Sequence, residues 1–296
     1  MYVAQFRPEE FRKMSSFAAR SLHYVFKTSN RQKTYDFYVK KLGMKILRHE
    51  EFGKGCEASC NGPFDGKWSK TMIGYGSEDD HFVFELVYNY GLKKIPQGND
   101  FGGVVVELNE KIEENSDPDN YSFIFQSGIQ PKVSKIILNV ENLEKSIDFW
   151  SNLLGMKILH QDETKVVLSY GSDQASLELV AQNQPIKRDV ASGRIAFACQ
   201  SKELPSLQTK IKNYDEKRIH TPLVSLDTPG KATVQVVILT DPDGHEICFV
   251  GDEAFRELSQ IDPKADELLQ EAIKEDWSDE WEAKQAKRAE NRNNKP

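Results

Sequence analysis

Two carboxylates stand where strand chemistry disfavours them. Glu85 lies within Phe84-Glu85-Leu86-Val87 and Glu178 within Leu177-Glu178-Leu179-Val180. An unpaired carboxylate on a buried face is costly, so each must be paired or liganded. His23 sits in a third apolar run, Leu22 to Phe26, where an imidazole is either a hydrogen-bonded core group or a ligand. Lys27 and Asn89 follow His23 and Glu85 by four residues. Four is an even step along a strand, so each pair shares one face of its sheet. A histidine and a glutamate are ligand types for a divalent ion and can also pass a proton. Glu178 has a simpler account as an ion pair with Lys135. Four cysteines, Cys56, Cys60, Cys199 and Cys248, are too few for a disulfide framework in 296 residues. Cys56 and Cys60 also lack the two-residue spacing of a zinc or redox pair, which points to a reducing compartment. Cys248 by itself reads as a small buried apolar residue.

The elements that position these residues repeat. Leu42-Gly43-Met44-Lys45-Ile46-Leu47 recurs as Leu154-Gly155-Met156-Lys157-Ile158-Leu159, an offset of 112. Each copy closes a segment of helical periodicity, with glycine at the position a helix C-cap favours. A strand-like run precedes each helix, Leu22 to Phe26 and Ile136 to Val140, and further strands follow. Phe101 to Leu108 and Tyr121 to Phe125 form an eroded copy. Residues 193–250 restore the pattern with a strand at Ile195 to Cys199, a helix at Leu204 to Tyr214, and a strand at Lys231 to Leu239. The turn Asp241-Pro242-Asp243-Gly244 and a strand at Ile247 to Val250 complete it. The chain therefore reads as α+β, four strand–helix–strand modules in two pairs. The expected divisions are an N-terminal extension at 1–19, paired modules at 20–130 and 131–252, and a C-terminal helix and tail at 253–296. Asp262 is the expected N-cap of that helix, with Leu268, Leu269, Ala272, Ile273 and Trp277 on its apolar face and an aperiodic tail from about 283.

Charge and hydropathy remove several classes. With 46 acidic and 39 basic residues the net charge is −7, the wrong sign for a nucleic-acid binder. Thirteen acidic against eight basic residues fall between Asp252 and Pro296, so the acidity belongs to the appendage. No apolar run approaches the ~20 residues of a membrane span. Arg7, Arg12, Lys13 and Arg20 with three phenylalanines are weakly presequence-like, but Glu9 and Glu10 oppose a transit peptide. The expected compartment is cytoplasmic, with mitochondrial as the alternative.

The tandem modules, the Leu-Gly-Met helix ends, Phe84-Glu85-Leu86 followed by Asn89-Tyr90-Gly91, and the Asp-Pro-Asp-Gly turn resemble the vicinal oxygen chelate superfamily. The first module is most similar to glyoxalase I (lactoylglutathione lyase). Asn61 to Thr71 and Pro222 to Lys231 resemble the glyoxalase domain-containing protein family within it. The resemblance implies βαβββ modules whose half-barrels pair around one divalent metal, zinc or nickel, with ligands from the first and last strand of each module. It implies His23 and Glu85 as metal ligands, with Lys27 and Asn89 binding glutathione as co-substrate. It puts Lys135 and Glu178 at the corresponding positions of the third module, and Arg194 and Cys248 at those of the fourth. The second module offers only Gly103. Pairing the first module with the fourth adds Cys248 as third metal ligand, with Glu246 on the same face. Glu85 and Glu178 take the acid–base role. The implied reaction is isomerisation of the methylglyoxal–glutathione hemithioacetal to S-lactoylglutathione. The alternative is a catalytically degenerate scaffold that binds a ligand, or a protein partner through its acidic C-terminal helix. An extradiol dioxygenase also fits the four-module length but lacks the second histidine.

Overall fold

The computed structural model describes residues 17–228, 231–276 and 278. Most of the expected N-terminal extension, Trp277 and the tail from 283 lie outside them. Among the described residues, fourteen strands form two mixed sheets with few helices. The first module supplies β1 (Arg20–Thr28), β2 (Lys45–Phe52), β3 (Trp68–Gly74) and β4 (Val83–Asn89). The fourth supplies β11 (Arg194–Cys199), β12 (Ile219–Leu226), β13 (Val234–Thr240) and β14 (Glu246–Gly251). These share one sheet in the order β12-β13-β14-β11-β1-β4-β3-β2. The second module keeps β5 (Phe101–Leu108) and β6 (Phe123–Ser127), a parallel pair that lacks the helix and the intervening strands. The third contributes β7 (Lys132–Val140), β8 (Lys157–Gln161), β9 (Lys165–Ser169) and β10 (Ser176–Ala181). Together they form a six-stranded sheet, β6-β5-β7-β10-β9-β8. The sheets therefore unite the first module with the fourth and the second with the third, and the division at residue 130 does not separate them.

β1 lies at the junction of this arrangement, antiparallel to β11 and parallel to β4. It is buried from Ser21 to Thr28, so simple apolar–polar alternation gives way to two buried faces. Tyr24 and Phe26 enter the main core shared with the second sheet. His23 and Val25 face the opposite way, into a cavity. A bulge at Leu22 sets this register. Ser21 opposes Phe197 and His23 opposes Ala196, leaving Leu22 as the extra residue. Bulges re-aim side chains in this manner.

The repeated helices end alike. Asn30 caps α1 (Arg31–Tyr35) and Asn142 caps α2 (Leu143–Ile147), each Oδ1 accepting the third amide onward at 2.9 Å. Each helix then widens to i→i+5 bonding, Leu42 N–H to Phe37 O and Leu154 N–H to Phe149 O. The chain leaves through Gly43 at φ +69° and Gly155 at φ +82°, a region open to glycine. Asn142→Ala is expected to lower unfolding free energy by about 1 kcal/mol in urea titration, with Asn30→Ala similar.

Two corrections concern the C-terminal appendage. A short helix, α4 (Asp252–Leu258), precedes the expected one and turns Phe255 and Leu258 inward. Asp262 is not the N-cap of the last helix, α5 (Ala265–Lys274), which has no side-chain cap. Its Oδ1 instead accepts Lys264 N–H at 2.9 Å in the preceding turn. α5 packs on β2, and Arg31 ties it down through Ala272 O at 2.8 Å and Asp276 Oδ2 at 2.9 Å. No helix among the described residues is long and apolar enough to cross a membrane.

Candidate functional site

The faces of β1, β4, β11 and β14 opposite the main core enclose a cavity of about 480 Å³, lined by His23, Glu85, Arg194, Ala196 and Cys248. Val236, Val250, Phe255 and Leu258 supply apolar wall, so α4 closes the cavity on the appendage side. Both His23 and Glu85 are 8% exposed.

The imidazole is held from behind. His23 Nδ1 lies 2.5 Å from Glu78 Oε1, and Arg48 donates to Glu78 Oε2 at 3.1 Å. Burial pushes the Glu78 carboxyl up, but His23, Arg48 and Arg20 outweigh it and hold it below the usual carboxylate range. Glu78 is therefore an ionised acceptor, which assigns a proton to Nδ1. Nε2 then faces Glu85 Oε2 at 3.5 Å. An imidazole nitrogen and a carboxylate side by side at a cavity wall can share and pass on a proton. Arg48 also donates to Leu258 O at 3.1 Å, linking this network to α4.

Sequence reading missed Glu78 and Arg48. Glu78 lies in a turn beside Asp79 and Asp80, and Arg48 in the charged run Arg48-His49-Glu50-Glu51; both look like solvated charge. The remaining candidates disperse. Glu178 belongs to the six-stranded sheet, where Lys135 Nζ donates to Oε2 at 2.6 Å and Lys165 Nζ lies 3.6 Å from Oε1. The ion pair satisfies it, and it does not line the cavity with Glu85. Asn89 is spent internally: Asn61 Nδ2 donates to Asn89 Oδ1 at 2.9 Å, and Asn89 Nδ2 to Asn61 O at 3.0 Å. Lys27 opens onto a neighbouring pocket. Cys56 and Cys60 are joined as a disulfide at the cavity wall, a pairing their spacing did not suggest, while Cys199 and Cys248 are free.

Comparison with known proteins decides the family. A model of the glyoxalase domain-containing protein 4-like C-terminal domain matches residues 142–258. A rat protein named glyoxalase domain-containing protein 4 is 52% identical over 284 residues, covering 88% of this chain and 95% of its own. The chain belongs to the glyoxalase domain-containing protein 4 family. A Caenorhabditis elegans relative named glyoxalase 1 is 51% identical over 279 residues, 89% of this chain and 99% of its own. Glyoxalase I from Zea mays, 22% identical, superposes with a TM-score of 0.61 over 81% of this chain and 95% of that one. That match shows the fold, an α+β glyoxalase I architecture.

Membership poses the metal question, and the donor set answers it. The four positions implied for ligands are His23, Glu85, Arg194 and Cys248, and all four do line one cavity. Arg194 is committed elsewhere: Nε and one terminal nitrogen donate to Glu246 Oε2 at 2.9 and 2.7 Å, and the other to Ala58 O at 3.0 Å. A permanent cation stands where a ligand is required. Burial pushes the Cys248 thiol up to about 11, with Glu85 adding to the rise and Arg194 opposing it. Cys248 therefore stands as a protonated thiol, a form from which an ion would have to displace the proton. Among the described residues no three His, Cys, Asp or Glu side chains are grouped to hold an ion. With a guanidinium at one of the four positions, the residues present do not complete the ligand set that the resemblance implies; the cavity holds a His23–Glu85 pair beside a buried thiol.

Proposed function

We propose that the protein isomerises the hemithioacetal of a 2-oxoaldehyde and glutathione to the hydroxyacyl thioester, S-lactoylglutathione from methylglyoxal, with proton transfer carried by its own side chains. The observation that carries this reading is the His23–Glu85 pair, 3.5 Å apart in a cavity with apolar walls. The relatives named glyoxalase 1, and more distant plant lactoylglutathione lyases at 26–27% identity, support the substrate class.

The isomerisation moves one proton between adjacent carbons. Glu85 takes it from the carbon bearing sulfur, and the electron pair passes into an enediolate. His23 Nε2, alongside, exchanges protons with Glu85 while Glu78 keeps the ring in place. Arg194 contributes fixed positive charge to the wall facing the developing oxyanion, tempered by Glu246. The proton then returns to the neighbouring carbon, and the hydroxyl proton on the sulfur-bearing carbon passes to the oxygen of that neighbour, which leaves a thioester beside an alcohol. Asn89 takes no part, since its amide is committed to Asn61.

Purified protein given methylglyoxal and glutathione, followed by thioester absorbance, tests the reading. Glu85→Gln is expected to lower kcat by about 10²–10⁴-fold, the range of general acid–base catalysis. Chelator should leave the wild-type rate unchanged. Full activity in Glu85→Gln would refute the role of Glu85. Binding of S-lactoylglutathione without turnover would favour a second reading, a ligand-binding scaffold, for which the Arg194–Glu246 pair at a ligand position is the specific support.

A further inference from the structure

A second pocket, of about 210 Å³, adjoins the first and shares Val25, Cys60 and Arg194 with it. Lys27 lines it together with Ser192, His220 and Glu246. This lysine is only 8% exposed. Its Nζ donates to Ser192 O at 2.6 Å, and among the described residues no carboxylate lies within ion-pairing distance of it. A buried ammonium without a paired opposite charge is costly, so burial shifts the balance toward the neutral amine. Burial lowers Lys27 to about 8; Glu246 and Asp100 oppose the fall, and Arg194 and Arg188 assist it. Hydrogen-bonded at one N–H and lining the pocket, this amine keeps a larger neutral fraction near neutral pH than an exposed lysine, and that fraction carries a lone pair free for a ligand.

We propose that Lys27 is a nucleophilic amine that captures a small aldehyde in this second pocket as a Schiff base. The Nζ lone pair adds to the carbonyl carbon, and the carbonyl π pair moves onto oxygen, which takes up a proton as Nζ loses one. The carbinolamine then expels its hydroxyl as water while the remaining nitrogen pair forms the C=N bond. Amine and aldehyde become imine and water, with no change in oxidation level. His220 and Glu246, on the pocket wall, are the groups available to move these protons. The proposal does not depend on the isomerase reading, because it concerns a different pocket and a different residue.

The test is reductive trapping on the intact protein. Wild-type protein is treated with propanal and cyanoborohydride at pH 7, then peptide-mapped by mass spectrometry. An exposed lysine titrates near 10.4, so Lys27 holds on the order of 200-fold more neutral amine at this pH. Labelling of Lys27 is expected to exceed that of exposed lysines such as Lys40 and Lys212 by roughly tenfold, and to fall as pH drops from 8 to 6. Labelled Lys40 and Lys212 with unlabelled Lys27 in folded protein would overturn the proposal. Lys27→Arg, which keeps the stem, should lose the fast-labelled peptide and nothing else; persistence of that signal would assign it to another residue.

Discussion

Glu78→Gln is expected to destabilise the protein by about 3–5 kcal/mol, the usual cost of breaking a buried ion pair by removing one partner. The side chains of Glu78 and Arg48 are 1% and 2% exposed, and each is the other's nearest opposite charge. Loss of the carboxylate leaves the Arg48 guanidinium with only the longer Glu50 contact at 3.7 Å as opposite charge, and leaves His23 Nδ1 without its ionised acceptor. Against total stabilities of 5–15 kcal/mol this is a large fraction. Urea unfolding at pH 7 measures it, and the pH dependence checks its origin. Glu78 is held below its unfolded value, so its contribution is fully present above the ordinary carboxylate range and is lost as pH falls through the lowered folded value. The gap between wild type and variant should therefore narrow toward acid. A gap that stayed constant down to pH 3 would show that shape, not charge, is what Glu78 supplies.

Phe26→Ala is expected to cost a similar 3–5 kcal/mol. The ring is 1% exposed and has five aromatic neighbours, with centroids from Tyr121 at 4.5 Å to Phe123 at 6.2 Å and Tyr24, Phe84 and Phe101 between. Some belong to the sheet of β1 and others to the β5–β6 module, so the truncation opens a void at the contact between sheets. Thermal unfolding should shift down by about 6–10 °C, at roughly 2 °C per kcal/mol for a chain of this size. A shift below 2 °C would mean that the surrounding rings collapse into the space.

Much of the fold could be read from the sequence because the helix ends carry local signals. Leu42-Gly43-Met44 and Leu154-Gly155-Met156 end in matching hydrogen bonds, Met44 N–H to Tyr38 O and Met156 N–H to Trp150 O. His23 and Glu85 stood out because polar residues in apolar strands demand a reason, and Glu178 proved to have the one that Lys135 offered. Pairing of modules was not legible. Strands β1 and β7 are both apolar runs, and nothing local tells β1 that β11 is its neighbour. Glu78 and Arg48 were invisible for the opposite reason: each is an ordinary charge in a charged neighbourhood until the tertiary fold buries both. The helix α4 escaped notice because its seven residues show only Phe255 and Leu258 at helical spacing.

The sharing of one sheet by the first and last modules has a consequence for biosynthesis. During translation β1 emerges with β4 available to pair, but its other edge must wait for β11, and the cavity wall waits longer still, for β14 and α4. A nascent chain carries the unpaired edge of β1 through most of its synthesis, which is the kind of exposure that invites misassociation and chaperone engagement. A chain stopped before β11 would hold both His23 and Glu85 and yet have no chamber in which to use them.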